Sequence, residues 1–161
     1  MQGLAIIVDW HAQLARILDH LRSLLLLLTR VWVSWQFLKS GWLKATNWDV
    51  TLELFRSEYH VPLLSPQVAA LAGTFGELLF PVLLVCGLFT RAGALGLFAV
   101  NAFAVVSYWH VLGKSGYEAA LGQHVLWGFM IAVVAIFGAG AISLDHLSGR
   151  RQHHRESRAA G

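Results

Sequence analysis

Four long runs with almost no charge decide what this chain can become. Leu24–Leu43, Val68–Leu88, Arg91–Leu112 and Glu118–Gly140 each reach the ~20 residues that a helix needs to cross a hydrocarbon core of ~30 Å. Hydrophobic residues make up 57% of the chain and charged ones 13%, against roughly 45–50% apolar content in soluble domains. A chain of 161 residues has too little polar sequence to wrap four such helices in water. In lipid they are stable, because a helix satisfies its own backbone. The expected fold is therefore all-α: a polytopic bundle of four transmembrane helices.

The flanking segments predict three regions. In residues 1–23, Ile7, Trp10, Leu14, Ile17, Leu18 and Leu21 recur at helical spacing while Asp9, Gln13, Arg16 and Asp19 take the other side, the pattern of an amphipathic helix lying in the membrane interface. This segment lacks the basic start and small-residue cleavage site of a signal peptide, so it is expected to stay in the mature protein. Residues 24–147 form the membrane domain, and residues 148–161 a basic tail whose His153 and His154 read as tail composition rather than metal ligands. Between the first two spans, Trp48, Leu52, Phe55 and Tyr59 share a stripe, predicting a short amphipathic helix on the outer surface, with Asn47 as its cap and Pro62 stopping the chain from continuing as helix beyond Tyr59. The "GLFTRAG" link allows only a tight turn, so the second and third spans are antiparallel neighbours.

Four spans put both termini on one side. That side carries Arg16, Arg22, Arg91, Arg150, Arg151, Arg155 and Arg158, against Lys39, Lys44, Arg56 and Lys114 on the other, which predicts cytoplasmic termini. The lone cysteine, Cys86, has no intrachain partner and is assigned to packing.

Packing faces in lipid are marked by small residues. In the first span Arg30, Ser34, Phe37, Gly41 and Lys44 succeed one another at spacings of four and three, one face of a helix, and Trp32, Trp35 and Trp42 fall elsewhere. Ala69, Gly73, Gly76 and Glu77 mark the second span. In the third the stripe is Ala92, Gly96, Ala99, Phe103, Ser107 and His110, with Asn101 off it; in the fourth it is Gly116, Ala120, His124, Gly128, Ala132 and Ala135. At 1.5 Å per residue, Glu77 and Asn101 lie roughly 15 Å from either surface and Arg30 about 9 Å from the cytoplasmic one. The expected interior is thus a polar line from Arg30 through Glu77 to an outer cluster of His124, His110 and Lys44. Glu77 is predicted to pair with Arg30 or to stand protonated beside Asn101. An ionisable residue at that depth costs roughly 2.5 kcal/mol or more and is a functional candidate by default.

The stretches "TRVWVSWQFLKSGWLK", "GELLFPVLLVCGLFTR" and "GAGAISLDHL", with "YHVPLLSPQVAA" and "HVLWG", resemble the DoxX family over Leu24–Leu147. Matching positions are Arg30, Gly41, Lys44, Glu77, Gly87, Thr90, Arg91, His124, Trp127, Ser143, Leu144 and Asp145. Ser40 departs from the pattern, since many members carry His there. The resemblance implies a four-helix inner-membrane protein of bacteria or archaea linked to redox chemistry. Some members are described as subunits of thiosulfate:quinone oxidoreductase, others as membrane partners of oxidative-stress or metal-handling proteins.

Two functions are weighed. A quinone-linked redox subunit needs an apolar slot with proton donors and acceptors; Glu77, His124, His110 and Tyr108 are suitable types, with Arg30, Asn101 and Lys44 completing the polar interior. The cofactor would be a membrane quinone. The chain carries no CxxC, nucleotide fingerprint or iron–sulfur spacing, so its electrons would come from a partner protein. Alternatively the chain is a non-enzymatic anchor or assembly partner whose polar residues hold the bundle together. No catalytic residue and no metal ligand is assigned. Gly41, Gly87, Thr90, Arg91, Trp127, Ser143 and Asp145 are given structural roles, Arg91 and Asp145 in capping. The expected partners are the lipid bilayer and a soluble protein or second copy, not nucleic acid.

Overall fold

The structure, a computed structural model, describes residues 2–61 and 63–149. The tail from Arg150 on, with His153 and His154, the side chains of Ile7 and Asp9, and Pro62 lie outside that description. The described residues form helices and connections without a strand: α1 (Gln2–Thr46), α2 (Trp48–Ser57), α3 (Pro66–Cys86), α4 (Thr90–Ser107), α5 (Trp109–Leu112) and α6 (Glu118–Phe137). Three of these, α3, α4 and α6, are long and apolar enough to cross a membrane. The second half of α1 is not among them, because Arg30, Gln36 and Lys39 lower its mean hydropathy. The third span stops at Ser107 rather than Leu112, where the helix breaks at Tyr108 before α5.

No glycine or proline interrupts Leu4–Ser40, and Leu, Ala and Arg are strong helix formers. Accordingly α1 runs unbroken for 45 residues, about 68 Å at 1.5 Å per residue, without a boundary at residue 23. At its end the Asn47 side chain donates to Leu43 O at 3.0 Å and makes no cap for α2. This corrects the sequence expectation: Asn47 closes α1. Ser65 caps α3 by accepting from Val68 N, with Pro66 in the first turn, as expected where a proline's missing donor is harmless.

α1, α3, α4 and α6 close a ring in which α1 packs on α3 and α6, and α4 on the same two. Val33, Phe37, Leu84, Leu97, Ile131 and Val134 fill it. The predicted face of α1 is the buried one, and Trp32, Trp35 and Trp42 point outward. The face of α4 differs from the stripe read in sequence. Thr90, Gly93, Ala94, Leu97 and Asn101 are buried; of the stripe, Ser107 is buried and Gly96 half-buried, whereas Ala92, Ala99, Phe103 and His110 are exposed. Asn101 therefore faces the interior after all. Cys86 is exposed, so it does not pack in the core. α2 lies across α3 through Phe55, Ala69 and Ala70.

One end of the ring is tied by Arg30, which is 0% exposed. Its guanidinium donates through Nη1 to Leu84 O at 3.0 Å and through Nη2 to Ile142 O at 2.6 Å. Leu84 sits in the last turn of α3, whose carbonyls carry the negative end of the helix dipole. α3 ends on Gly87 at φ 66°, with Leu88 N closing back on Leu83 O, a Schellman closure that favours glycine. A Cβ on Gly87 would collide with Arg30 Nη1 and with Ser143. The segment after α6 crosses α1, where Ala141 N donates to Ser23 Oγ, and Asp145 then accepts from Phe89 N at 2.8 Å and Thr90 N at 2.9 Å. It thereby caps the free amides at the start of α4. Arg91 Nη2 donates to Ile136 O in the last turn of α6.

This knot can be tested at Gly87 and at Asp145. Gly87→Ala is expected to lower the unfolding free energy in detergent by at least about 2 kcal/mol, from the left-handed backbone and the collision together. Gly122→Ala, which meets nothing within 4 Å, should instead raise it by roughly 0.5–1 kcal/mol. The Asp145 carboxyl is partly desolvated, which raises its pKa, but hydrogen bonds from Thr90 and Phe89 and the charge of Arg30 outweigh this and hold it below the usual value. A depressed carboxylate stabilises the fold fully above its unfolded pKa of about 3.9, and that contribution is lost as pH falls through the lowered value. Between about pH 5 and pH 3 the wild-type melting temperature should thus fall further than that of Asp145→Asn, which has no carboxylate to protonate; parallel curves would contradict this account.

Candidate functional site

At the other end, α1 and α3 approach at Gly41, where a Cβ would lie 2.9 Å from the Cβ of Glu77. That approach sets the next turn of α1 against Glu77. Lys44 Nζ contacts both carboxylate oxygens of Glu77 at 2.7 Å and Ser40 Oγ at 2.7 Å. The ammonium is thus held between the carboxylate and the serine hydroxyl. Glu77 pairs with Lys44, not with Arg30, and Asn101 is bonded elsewhere; the expected Glu77–Arg30 pair is not formed. Ser40, the departure from the family pattern, is the third partner of this ion pair. Pro81 lies one turn after Glu77 inside α3. It cannot donate to the Glu77 carbonyl, so one rung of the helical hydrogen-bond ladder is missing there.

The ion pair forms part of the wall of a cavity of about 490 Å³. Phe37, Phe80 and Trp127 bound it, with the Phe80 ring packed directly against Gly96; Gly73, Ala99 and Ala104 line it from α3 and α4, and Phe55, Tyr59 and Tyr108 line it from α2 and the connections that follow α2 and α4. His124 lines the same cavity. Its Nδ1 is 2.9 Å from Asn101 Oδ1, and Asn101 Nδ2 donates to the His124 carbonyl at 3.0 Å. The ring of Trp127 packs edge-on against both His124 and Phe37. Around Tyr59, burial pushes the phenol pKa up, reinforced by the negative charge of Glu77, so it stays protonated at neutral pH.

Of the residues singled out in sequence, Glu77, Lys44, His124, Tyr108 and Trp127 meet at this cavity, and Asn101 stands behind His124. Arg30 belongs to the opposite knot with Gly87, Thr90, Ser143 and Asp145. His110 is not a lining residue; it is exposed and stacks on His60 and Tyr108. The polar interior is thus two separate clusters rather than one line. Sequence reading missed Tyr59, Phe80 and Ser40 as parts of the site. Ser40 could have been found from its spacing of four to Lys44. Phe80 and Tyr59 carry no such signal.

The arrangement offers an apolar chamber of the size that takes small ligands, about 300–1,000 Å³, with few polar groups at fixed places. If the ion pair is a desolvated unit, Lys44→Met alone should cost roughly 3 kcal/mol by stranding the carboxylate, while Lys44→Met with Glu77→Leu should recover most of that loss. Denaturation of the single and double variants in one detergent checks this, and equal losses would mean that water already screens the pair.

The family model described as DoxX matches residues 25–111, more than half of the chain, from the middle of α1 to α5. α6 with His124, and the segment with Ser143 and Asp145, lie beyond that match. An uncharacterized protein of Haemophilus influenzae (strain ATCC 51907 / DSM 11121 / KW20 / Rd) is 29% identical over 127 residues, covering 76% of this chain and 82% of the relative. No solved structure matches the chain.

Proposed function

The chain belongs to the DoxX family, and from that premise we propose that it is a quinone-linked subunit of a redox system in the bacterial inner membrane. On this reading α1 supplies the fourth span. Its inward Arg30, Ser34, Phe37, Gly41 and Lys44 and outward tryptophans support that assignment, as does its place in the ring with α3, α4 and α6. The first 23 residues form an amphipathic segment, α2 lies on the outer surface, and the basic residues favour cytoplasmic termini.

The observation that carries the function is the apolar cavity with Lys44–Glu77 and His124 in its wall. A quinone head group fits its size and its apolar walls, and when bound supplies two-electron, two-proton chemistry in the lipid phase. The ring would lie among Phe37, Phe80 and Trp127. The protonated Tyr59 and the Tyr108 hydroxyl can donate to a carbonyl, and Glu77 and His124 offer acceptors near the ring. Electrons come from a partner protein, consistent with the absence of a dithiol or nucleotide motif in the chain.

Protein extracted into native-lipid nanodiscs is expected to carry close to one quinone per chain. Ala99→Phe, which projects a ring into the cavity without touching the ion pair, should remove that quinone while the melting temperature stays within a few degrees of wild type. Wild-type protein without quinone, but with a stoichiometric soluble partner, would overturn the redox reading in favour of a membrane anchor.

A further inference from the structure

The hydrogen bonds behind His124 fix what its exposed side can recognise. Asn101 Nδ2 donates to the backbone carbonyl of His124, and a carbonyl only accepts. The amide therefore cannot be turned round, and the atom facing the ring is its oxygen. Asn101 Oδ1 lies 2.9 Å from His124 Nδ1. Two acceptors do not bond, so Nδ1 carries the proton. A second proton on the ring would put a cation beside Lys44 in the same apolar wall, a charge that lipid disfavours strongly. The ring is thus a neutral imidazole whose other nitrogen, Nε2, is a bare acceptor with no protein partner among the described residues, in a side chain that lines the cavity.

The Lys44 ammonium is drawn to Ser40 and to both oxygens of Glu77, and no hydrogen bond joins it to His124. We infer that His124 Nε2 is the specificity-determining acceptor of the cavity, and that it selects a ring bearing a hydroxyl, a phenol or hydroquinone, over the corresponding carbonyl or ether. The hydroxyl donates to Nε2, and the ring lies against Phe37 and Trp127. Asn101 is the positioning residue, since it sets the tautomer without touching the ligand. A quinone carbonyl at the same place would face a lone pair. The inference rests on the cavity being the ligand site proposed above and deepens it: the reduced form of the ligand is the one held here.

The test uses full-length protein in nanodiscs and two probe pairs. Naphthol and its methyl ether differ only in the donor proton and involve no quinone chemistry; a short-tailed hydroquinone and its quinone, titrated without oxygen, add the redox reading. Wild type is expected to bind naphthol about tenfold more tightly than the ether, the ratio one good hydrogen bond supplies. It should favour the hydroquinone over the quinone by a similar factor. His124→Phe should bring both ratios close to one. Because that variant leaves Asn101 unpaired, His124→Phe with Asn101→Leu is measured beside it, removing both partners and keeping the fold testable.

Equal binding of naphthol and its ether, no naphthol binding, or a preference that survives in the double variant overturns the inference. Naphthol selectivity that depends on His124, in a protein that binds neither quinone nor hydroquinone, would leave the acceptor assignment standing and overturn the quinone reading instead.

Discussion

Burying the Arg30 guanidinium is the constraint on which the rest of the bundle depends. With 0% of the residue exposed, its charge would cost several kcal/mol if left without compensation. Compensation comes from carbonyls that are available only if α3 stops where it does and the segment after α6 folds back across α1. Leu84 O lies in the last turn of α3, and Ile142 O is outside any helix that could use it. Gly87 lets the backbone pass against the guanidinium, and the same return places Asp145 on the first amides of α4. Residues 30, 84–90 and 142–145 are one structural unit, although long stretches of chain separate each from the next.

The knot also sets the height of α1 against α3, and that height decides which cation meets Glu77. Arg30 and Lys44 lie on the same face of α1, and from sequence either could have reached the carboxylate. The choice depends on axial offset, which no periodicity encodes. It is fixed by Arg30 at the end of α3 and by Gly41 packed on Glu77. The face of α1 was legible because its small and polar residues alternate cleanly with tryptophans. The face of α4 was not, because Ala92, Gly93, Ala94, Gly96, Ala99, Ala102 and Ala104 put small residues on every side and the small-residue rule cannot phase such a helix. There the larger Leu97 and the polar Asn101 mark the buried side. The change from amphipathic to apolar pattern at residue 23 was read as two segments, and the helix runs on through it without a break, since no glycine or proline falls between Leu4 and Ser40.

Small residues serve two purposes in this bundle, and position separates them. At Gly41 and Gly76 they bring helices together, since a Cβ would strike Glu77 or Val100. At Gly73, Ala99 and Ala104 they line the cavity instead, and a Cβ at Gly73 would stand 3.5 Å from the Phe55 ring, at ordinary contact distance. The difference lies in how near the opposite group stands: a Cβ would come within 3.0 Å of its neighbour at the first pair, and has room for ordinary contact at Gly73. Pro81 adds to this by freeing the carbonyl of Glu77, one turn away, from the helix ladder. The carboxylate therefore sits on a turn of α3 that lacks one helical hydrogen bond, beside the cavity.

Both cationic residues on the inner face of α1 qualify as functional candidates if charge in lipid is the only criterion. Volume separates them. Around Arg30 the packing is closed: Gly87 and Ser143 press on the guanidinium, and none of the cavity's lining residues comes from that knot. A ligand has no room to exchange with the carbonyls that Arg30 binds. Lys44 and Glu77 satisfy each other equally well, yet they do so at the edge of a void shared with His124, where a hydrogen-bonding atom remains available. Chemistry with a small molecule requires unused bonding capacity beside free space. Among the described residues those two conditions coincide at the end of the ring that holds Lys44, Glu77 and His124, so Arg30 is the cation that holds the fold, and the wall around Lys44 is the part that can act.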